Sequence, residues 1–174
     1  MDRGNNVRPL ALSLTVVGAL ARLLPHPPNF APVGGMSLYA GARLRGWQAF
    51  AIPLVLMAVT DPLRGGYSVA TPFVYLAFMI NVLIGRRLRA TSSPISIGAA
   101  CFVCSAQFFL ISNFGTWISW YAHTWSGLAL CFTQAIPFFG RTLAGDLFFT
   151  AVLFGLHAWL SRRLHSAEQV PAIA

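Results

Sequence analysis

Four polar residues mark the last apolar stretch of this 174-residue chain: Asp146, Thr150, His157 and Ser161. Counted from Thr142 at about 100° per residue, all of them fall within an arc of about 100° on a helix. Leu143, Leu147, Phe148, Val152, Gly155 and Trp159 occupy the other side. A carboxyl group and an imidazole suggest acid–base chemistry. Asp146 and His157, however, stand about 16 Å apart along a helix axis at about 1.5 Å per residue, too far for one catalytic pair. A polar stripe on an apolar helix must face protein or a wet cavity, because lipid offers it no partners. Asp146 has two readings. It is either a ligand-binding group, with Thr150 one turn on, or a helix-start carboxylate just after the N-cap candidate Thr142, paired with Arg141 or a neighbouring amide.

A second set of groups lies in "RLLPHPPNFAPVGGM", residues 22–36. Pro25, Pro27 and Pro28 fix φ and remove backbone donors, which stiffens the loop around His26 and Asn29. The stiffness predicts the rim of a binding site, with both side chains facing Asn113 and Asp146. In "SNFGTWISWYAHTW" (112–125), Asn113 offers a donor and an acceptor at a helix mouth, and Trp117 offers a face on which a planar ligand can stack. Trp120, Tyr121 and Trp125 read as an interfacial aromatic belt. Asp61 and Arg64 in "TDPLRGG" read as a local ion pair at a turn. Cys101 and Cys104 form a C-x-x-C inside an apolar run, where packing is their expected role, and no zinc-type spacing accompanies them. No metal or cofactor is expected. Nucleophile elbow, P-loop, dinucleotide fingerprint and H-E-x-x-H are all missing from the sequence, so no catalytic residues are assigned.

The elements that carry these groups are membrane-like. The chain is 56% hydrophobic and 9% charged, against about 25% charged in soluble domains. Such a surface cannot be covered against water. The net charge of +8 comes from arginine alone, without lysine. The arginines lie in small groups between apolar runs rather than in one patch, which argues against nucleic acid. Arginines and prolines delimit one all-α membrane domain with spans at about 9–24, 32–42, 47–60, 71–85, 94–112 and 142–161. A short re-entrant or interfacial helix is expected at 125–139. The A-x-A at Ala19–Ala21 has signal-peptide grammar, but a retained first span is expected. With six spans and an inner N-terminus, Arg3, Arg8, Arg43, Arg45, Arg86, Arg87, Arg89, Arg162 and Arg163 share the inner side, leaving Arg22, Arg64 and Arg141 outside. A seventh span at 125–139 would put Arg162 and Arg163 on the wrong side, so the positive-inside rule favours six.

The strings "RLLPHPPNFAPVGGMSLYAG", "TPFVYL", "SNFGTW" and "IPFFGRTLAGDLFFT" are spread over residues 22–156, a range that makes up most of the chain. They resemble a family of small bacterial membrane proteins described as similar to the substrate-binding S components of energy-coupling-factor transporters. The resemblance implies a six-helix S-component-like bundle in the cytoplasmic membrane, with both termini cytoplasmic and a ligand held near the outer face. It also implies docking on a membrane coupling subunit that works with ATPases, through small first-helix residues at four-residue spacing. Here these are Ala11, Thr15 and Ala19, with Thr15 breaking the alanine pattern. The expected function is a substrate-binding membrane subunit or solitary importer for a vitamin-like small molecule, with His26, Asn29, Asn113, Trp117, Asp146 and Thr150 as the binding set. The alternatives are a membrane accessory or assembly protein without ligand, whose bundle centre would be filled and dry, and a membrane enzyme using Asp146 with His157 or His26.

Overall fold

In the computed structural model, which describes residues 7–89 and 93–168, six α-helices follow one another and no strand occurs among the described residues. They are α1 (Val7–Ala21), α2 (Val33–Arg43), α3 (Gln48–Thr60), α4 (Thr71–Arg86), α5 (Pro94–Trp120) and α6 (Trp125–Glu168), with a 3₁₀ turn at Asp61–Arg64 after α3. Arg3 and the side chains of Arg8 and Arg64 lie outside the described residues.

Local chemistry accounts for several boundaries. Ser93 caps α5 by accepting from the Ser96 N–H, and Pro94 follows at the first helical position, where a missing N–H costs nothing. α5 runs past the expected end at residue 112 to Trp120. There the Trp117 indole donates to the Ala122 carbonyl (2.9 Å), and the four residues 121–124 turn the chain into α6. α6 itself corrects the expectation of a separate short helix at 125–139. It is a single helix of 44 residues, about 66 Å long at about 1.5 Å per residue. Pro137 removes one backbone donor without ending the helix. Arg141 is exposed on its surface, and Thr142 is no N-cap, because its hydroxyl donates to the Phe138 carbonyl one turn earlier (3.2 Å).

α2 is the centre of the bundle. Every residue from Val33 to Ala42 is buried, enclosed by α1, α3, α4, α5 and α6. Enclosure this tight requires small residues at the crossings. A Cβ on Gly41 would strike the Val82 backbone of α4, and one on Gly85 would strike the Leu38 backbone of α2. α1 lies against α2, with Met36 close to Gly18. Ala11, Thr15 and Ala19 are at most 1% exposed, and the Thr15 hydroxyl donates to the Ala11 carbonyl (2.8 Å). The small-residue stripe expected to dock an external coupling subunit therefore faces the protein's own interior, where small side chains let α1 approach its neighbours.

α5 and α6 form an antiparallel hairpin, paired from Asn113 with Cys131 to Cys101 with Thr150. Both are long and apolar enough to cross a membrane. Their most apolar windows are only 17% and 33% buried within the chain, so they are not enclosed as the core helices of a soluble protein are. Exposed Phe102, Val103, Leu110, Phe148, Val152 and Trp159 continue this apolar exterior. Opposite the 22–32 and 61–70 connections, arginines tie the other end of the bundle. Arg89 donates to the Leu44 carbonyl (2.8 Å), Arg86 to the Gly46 carbonyl (2.7 Å), and Arg43 lies over the Phe154 ring (5.2 Å).

Replacing Gly85 with leucine should cost about 1–3 kcal/mol or more by overpacking the α2–α4 crossing. Gly140→Ala, with open space around it, should be neutral or gain up to about 1 kcal/mol of helix stability. Thermal unfolding of the purified protein in detergent separates the two, and equal melting temperatures for G85L and wild type would contradict the crossing.

Candidate functional site

The sequence-predicted residues divide into three groups. Asp146 is 4% exposed and sits beneath the bundle mouth, at the start of α2 rather than of its own helix. Its carboxyl accepts from the Ser105 hydroxyl of α5 (2.7 Å) and from the Gly35 backbone N–H. A Cβ on Gly34 would collide with the same carboxyl group. Helix N-termini present unsatisfied N–H groups, and Asp146 supplies an acceptor to that of the buried α2. Asp146 is not at a helix start and pairs neither with Arg141 nor with an amide near it in sequence; its backbone partner, Gly35, comes from a segment more than a hundred residues away in the chain. One turn on, the Thr150 hydroxyl approaches the Cys101 sulfur (3.5 Å), so this cysteine is held in packing contacts.

His26 and Trp117 are occupied locally. The His26 ring lies 3.1 Å from the Pro27 carbonyl and 3.3 Å from that of Arg22. It does not face Asp146 or Asn113. Trp117 donates to Ala122 and packs against Phe114 and His123, which closes the α5–α6 turn. His157 takes another partner, with its Nδ1 2.6 Å from the Tyr39 hydroxyl of α2. Asp61 pairs with Arg22 (2.8 Å), and Tyr75 donates to its other oxygen (2.5 Å). The ion pair thus joins the first and second connections of this end; the expected Asp61–Arg64 pair involves a side chain outside the described residues.

Asn29 and Asn113 do come together. They line one cavity of about 240 Å³ with Phe108, Phe109, Phe138 and Phe139. Asn29 reaches it from the proline-rich loop in the left-handed region, φ 64°, a conformation that asparagine tolerates better than most residues. The loop is anchored beside it, because the Phe30 ring packs between Phe148 and Phe149 of α6, each centroid 5.8 Å away. The remaining polar lining has a consistent polarity. Ser112, Thr116 and Thr142 donate their hydroxyl protons to carbonyls one turn back (2.6, 3.0 and 3.2 Å). The Asn113 amide nitrogen likewise donates to the Phe109 carbonyl (2.7 Å). Each then keeps oxygen lone pairs for the cavity. No ionisable side chain lines it.

Other interior polar contacts were not anticipated. Gln107 donates to the Asn81 side-chain oxygen (2.6 Å) and to the Ala77 carbonyl (2.9 Å), joining α4 to α5. An isolated amide at Asn81, within an otherwise apolar run, is the signal that would have found it. Among the described residues no group of three or more His, Cys, Asp or Glu is placed to hold a metal.

Fold and site together define an all-α protein with two long apolar helices and a neutral, aromatic cavity with polar amide and hydroxyl groups at one end of the bundle. The chain belongs to the family described as a family of unknown function (DUF6580), which matches residues 3–170. Neither a curated protein nor a solved structure matches it.

Asp146→Ala should lower stability by about 1–3 kcal/mol for each donor left without an acceptor, Ser105 and the Gly35 N–H. Asp146→Asn, which keeps one acceptor oxygen, should recover part of the loss. Thermal melts of both variants in detergent test this, and a D146A protein as stable as wild type would remove the capping role.

Proposed function

We propose that this chain is a multi-pass membrane protein that binds a small, planar, uncharged solute rich in N–H donors, as a substrate-binding subunit or solitary importer. The observation that carries the reading is the meeting of Asn29 and Asn113 in one phenylalanine-walled cavity. Aromatic walls favour a flat ligand. The hydroxyl protons and one Asn113 N–H are committed to carbonyls, so oxygen acceptors outnumber the amide N–H donors left on Asn29 and Asn113 and favour a ligand that mainly donates, while a lining without charge favours a neutral one. A volume of about 240 Å³ lies just below the usual range for ligand pockets and suits a small heterocycle. Vitamin-like molecules carry such groups.

The membrane part of the reading is supported by the exposed apolar exterior and by the arginines gathered at the end away from the cavity. By the positive-inside rule that end is cytoplasmic, which puts the Asn29–Asn113 cavity toward the outer face and gives six crossings with both termini inside. The up-and-down course of α1, α2, α5 and α6 agrees with this. An S-component-like role remains compatible with the site. Docking on a coupling subunit would have to use a surface other than Ala11, Thr15 and Ala19.

One observation favours a second reading, a membrane accessory protein without ligand: α2 fills the bundle centre completely. The two readings separate experimentally. Protein purified in mild detergent is denatured, and the released small molecules are identified by mass spectrometry. A near-stoichiometric, N–H-rich planar compound is expected from wild type. Asn29→Ala and Asn113→Leu should each weaken its binding about tenfold, equivalent to about 1.4 kcal/mol, without loss of fold. If wild type releases no compound and deletion of the gene causes no uptake defect, the accessory reading replaces the importer.

A further inference from the structure

A second and larger cavity opens at the arginine-rich end. It has a volume of about 780 Å³ and lies between the start of α5 and the C-terminal half of α6, with Arg43 at the end of α2 reaching into it. Its wall is mostly apolar, with Ile97, Leu147 and Phe154, while Arg43, Thr150, His157, Ser161 and Arg162 supply the polar part. Two glycines make the room. Gly98 on α5 and Gly155 on α6 both line the groove, and a Cβ added to either would meet nothing within 4 Å. Elsewhere in the bundle, at Gly34, Gly41 and Gly85, glycine allows a neighbour to press close. Here no neighbour has taken the space.

Arg43 is the second observation. Its guanidinium lies over the Phe154 ring (5.2 Å), and its buried Nε has no hydrogen-bond partner. The one carboxylate ion pair found among the described residues is Arg22 with Asp61, at the opposite end of the bundle. Asp146 is occupied by Ser105 and Gly35. Among the described residues, a half-buried cation beside an apolar groove therefore has no anion partner. Arg162, exposed at the groove's edge, adds a second positive charge.

The geometry points to a binding site for one anionic phospholipid. Its acyl chain lies in the Ile97–Leu147–Phe154 groove, and its phosphate meets the Arg43 and Arg162 guanidinium groups. A soluble phosphate compound has no use for the apolar wall, and a zwitterionic lipid carries beside its phosphate a cation that the Arg43 and Arg162 guanidinium groups repel. The occupant is therefore a lipid, and an acidic one. Basic pockets between membrane helices at the cytoplasmic side select such headgroups, because the inner leaflet is rich in them, and guanidinium groups match phosphate geometry with paired donors. The assignment rests on the membrane reading above and is independent of the Asn29–Asn113 cavity.

The test uses the full chain, purified from membranes in mild detergent, delipidated, and examined by native mass spectrometry with added phosphatidylglycerol, phosphatidylcholine or inorganic phosphate. Wild type should retain one phosphatidylglycerol at least tenfold better than phosphatidylcholine, and millimolar inorganic phosphate should not displace it. Arg43→Gln should erase the headgroup preference. Gly155→Leu, which fills the groove from a position with open space, should lower retention of both lipids at least tenfold while melting no lower than wild type. Equal retention of the two lipids by wild type would overturn the site, as would undiminished phosphatidylglycerol binding in G155L. Displacement by inorganic phosphate alone would overturn the lipid as occupant. A chain that stays soluble without detergent would instead refute the membrane reading itself. If R43Q melts early, G155L alone decides.

Discussion

A helix of 11 residues buried on every side has nowhere to send the unsatisfied N–H groups at its start. The structure answers that constraint with a carboxyl group from another helix. Asp146 reaches from α6 to the Gly35 N–H and is held in place by the Ser105 hydroxyl of α5. Three helices thereby meet at one side chain. The glycines of α2 belong to the same arrangement, because the carboxyl occupies the space a Cβ on Gly34 would need. Burial of α2 then dictates how the other helices pack. α4 crosses it where Gly41 and Gly85 meet backbone. α1 covers it with Ala11, Thr15 and Ala19 turned inward.

Because α2 fills the centre, open space is displaced to the two ends. At one end the proline-stiffened loop, fastened by Phe30, brings Asn29 over α5 and α6. At the other, α5 and α6 part around Gly98 and Gly155, and Arg43 emerges into the gap. The two cavities have opposite chemistry. The first is uncharged and offers acceptors, whereas the second is apolar with cations at its edge. The same antiparallel hairpin supplies a wall to each.

Much of the candidate site was legible as residue types. Asn29 and Asn113 stood out as amides in unusual settings, and the stripe on α6 correctly marked Asp146, Thr150 and His157 as inward-facing, all at most 8% exposed. Partners were not legible. His26 sits in the same loop as Asn29 yet folds back on its own carbonyls, because a three-residue offset in an irregular loop says nothing about direction. His157 meets Tyr39, and Asp61 meets Arg22, a residue 39 positions away in the chain. The small residues of α1 kept a helical spacing that reads equally well as an external docking stripe or as an internal contact. Spacing identifies a face of a helix, not what covers it.

Composition and periodicity are properties of the chain taken a few turns at a time. From them follow an all-helical class, an apolar exterior and the grouping of arginines between apolar runs, since each reflects whether a residue's own side chain tolerates water. The continuity of α6 through Pro137 and Arg141 lies beyond that reach. One lost donor and one exposed charge resemble a break locally, and the contacts along the whole helix outweigh them. The burial of α2, the acceptor that Asp146 lends it and the meeting of Asn29 with Asn113 likewise belong to the packed chain. The Gly35–Asp146 contact joins residues 111 positions apart and the Asn29–Asn113 meeting joins residues 84 apart, and no local preference carries information over that separation.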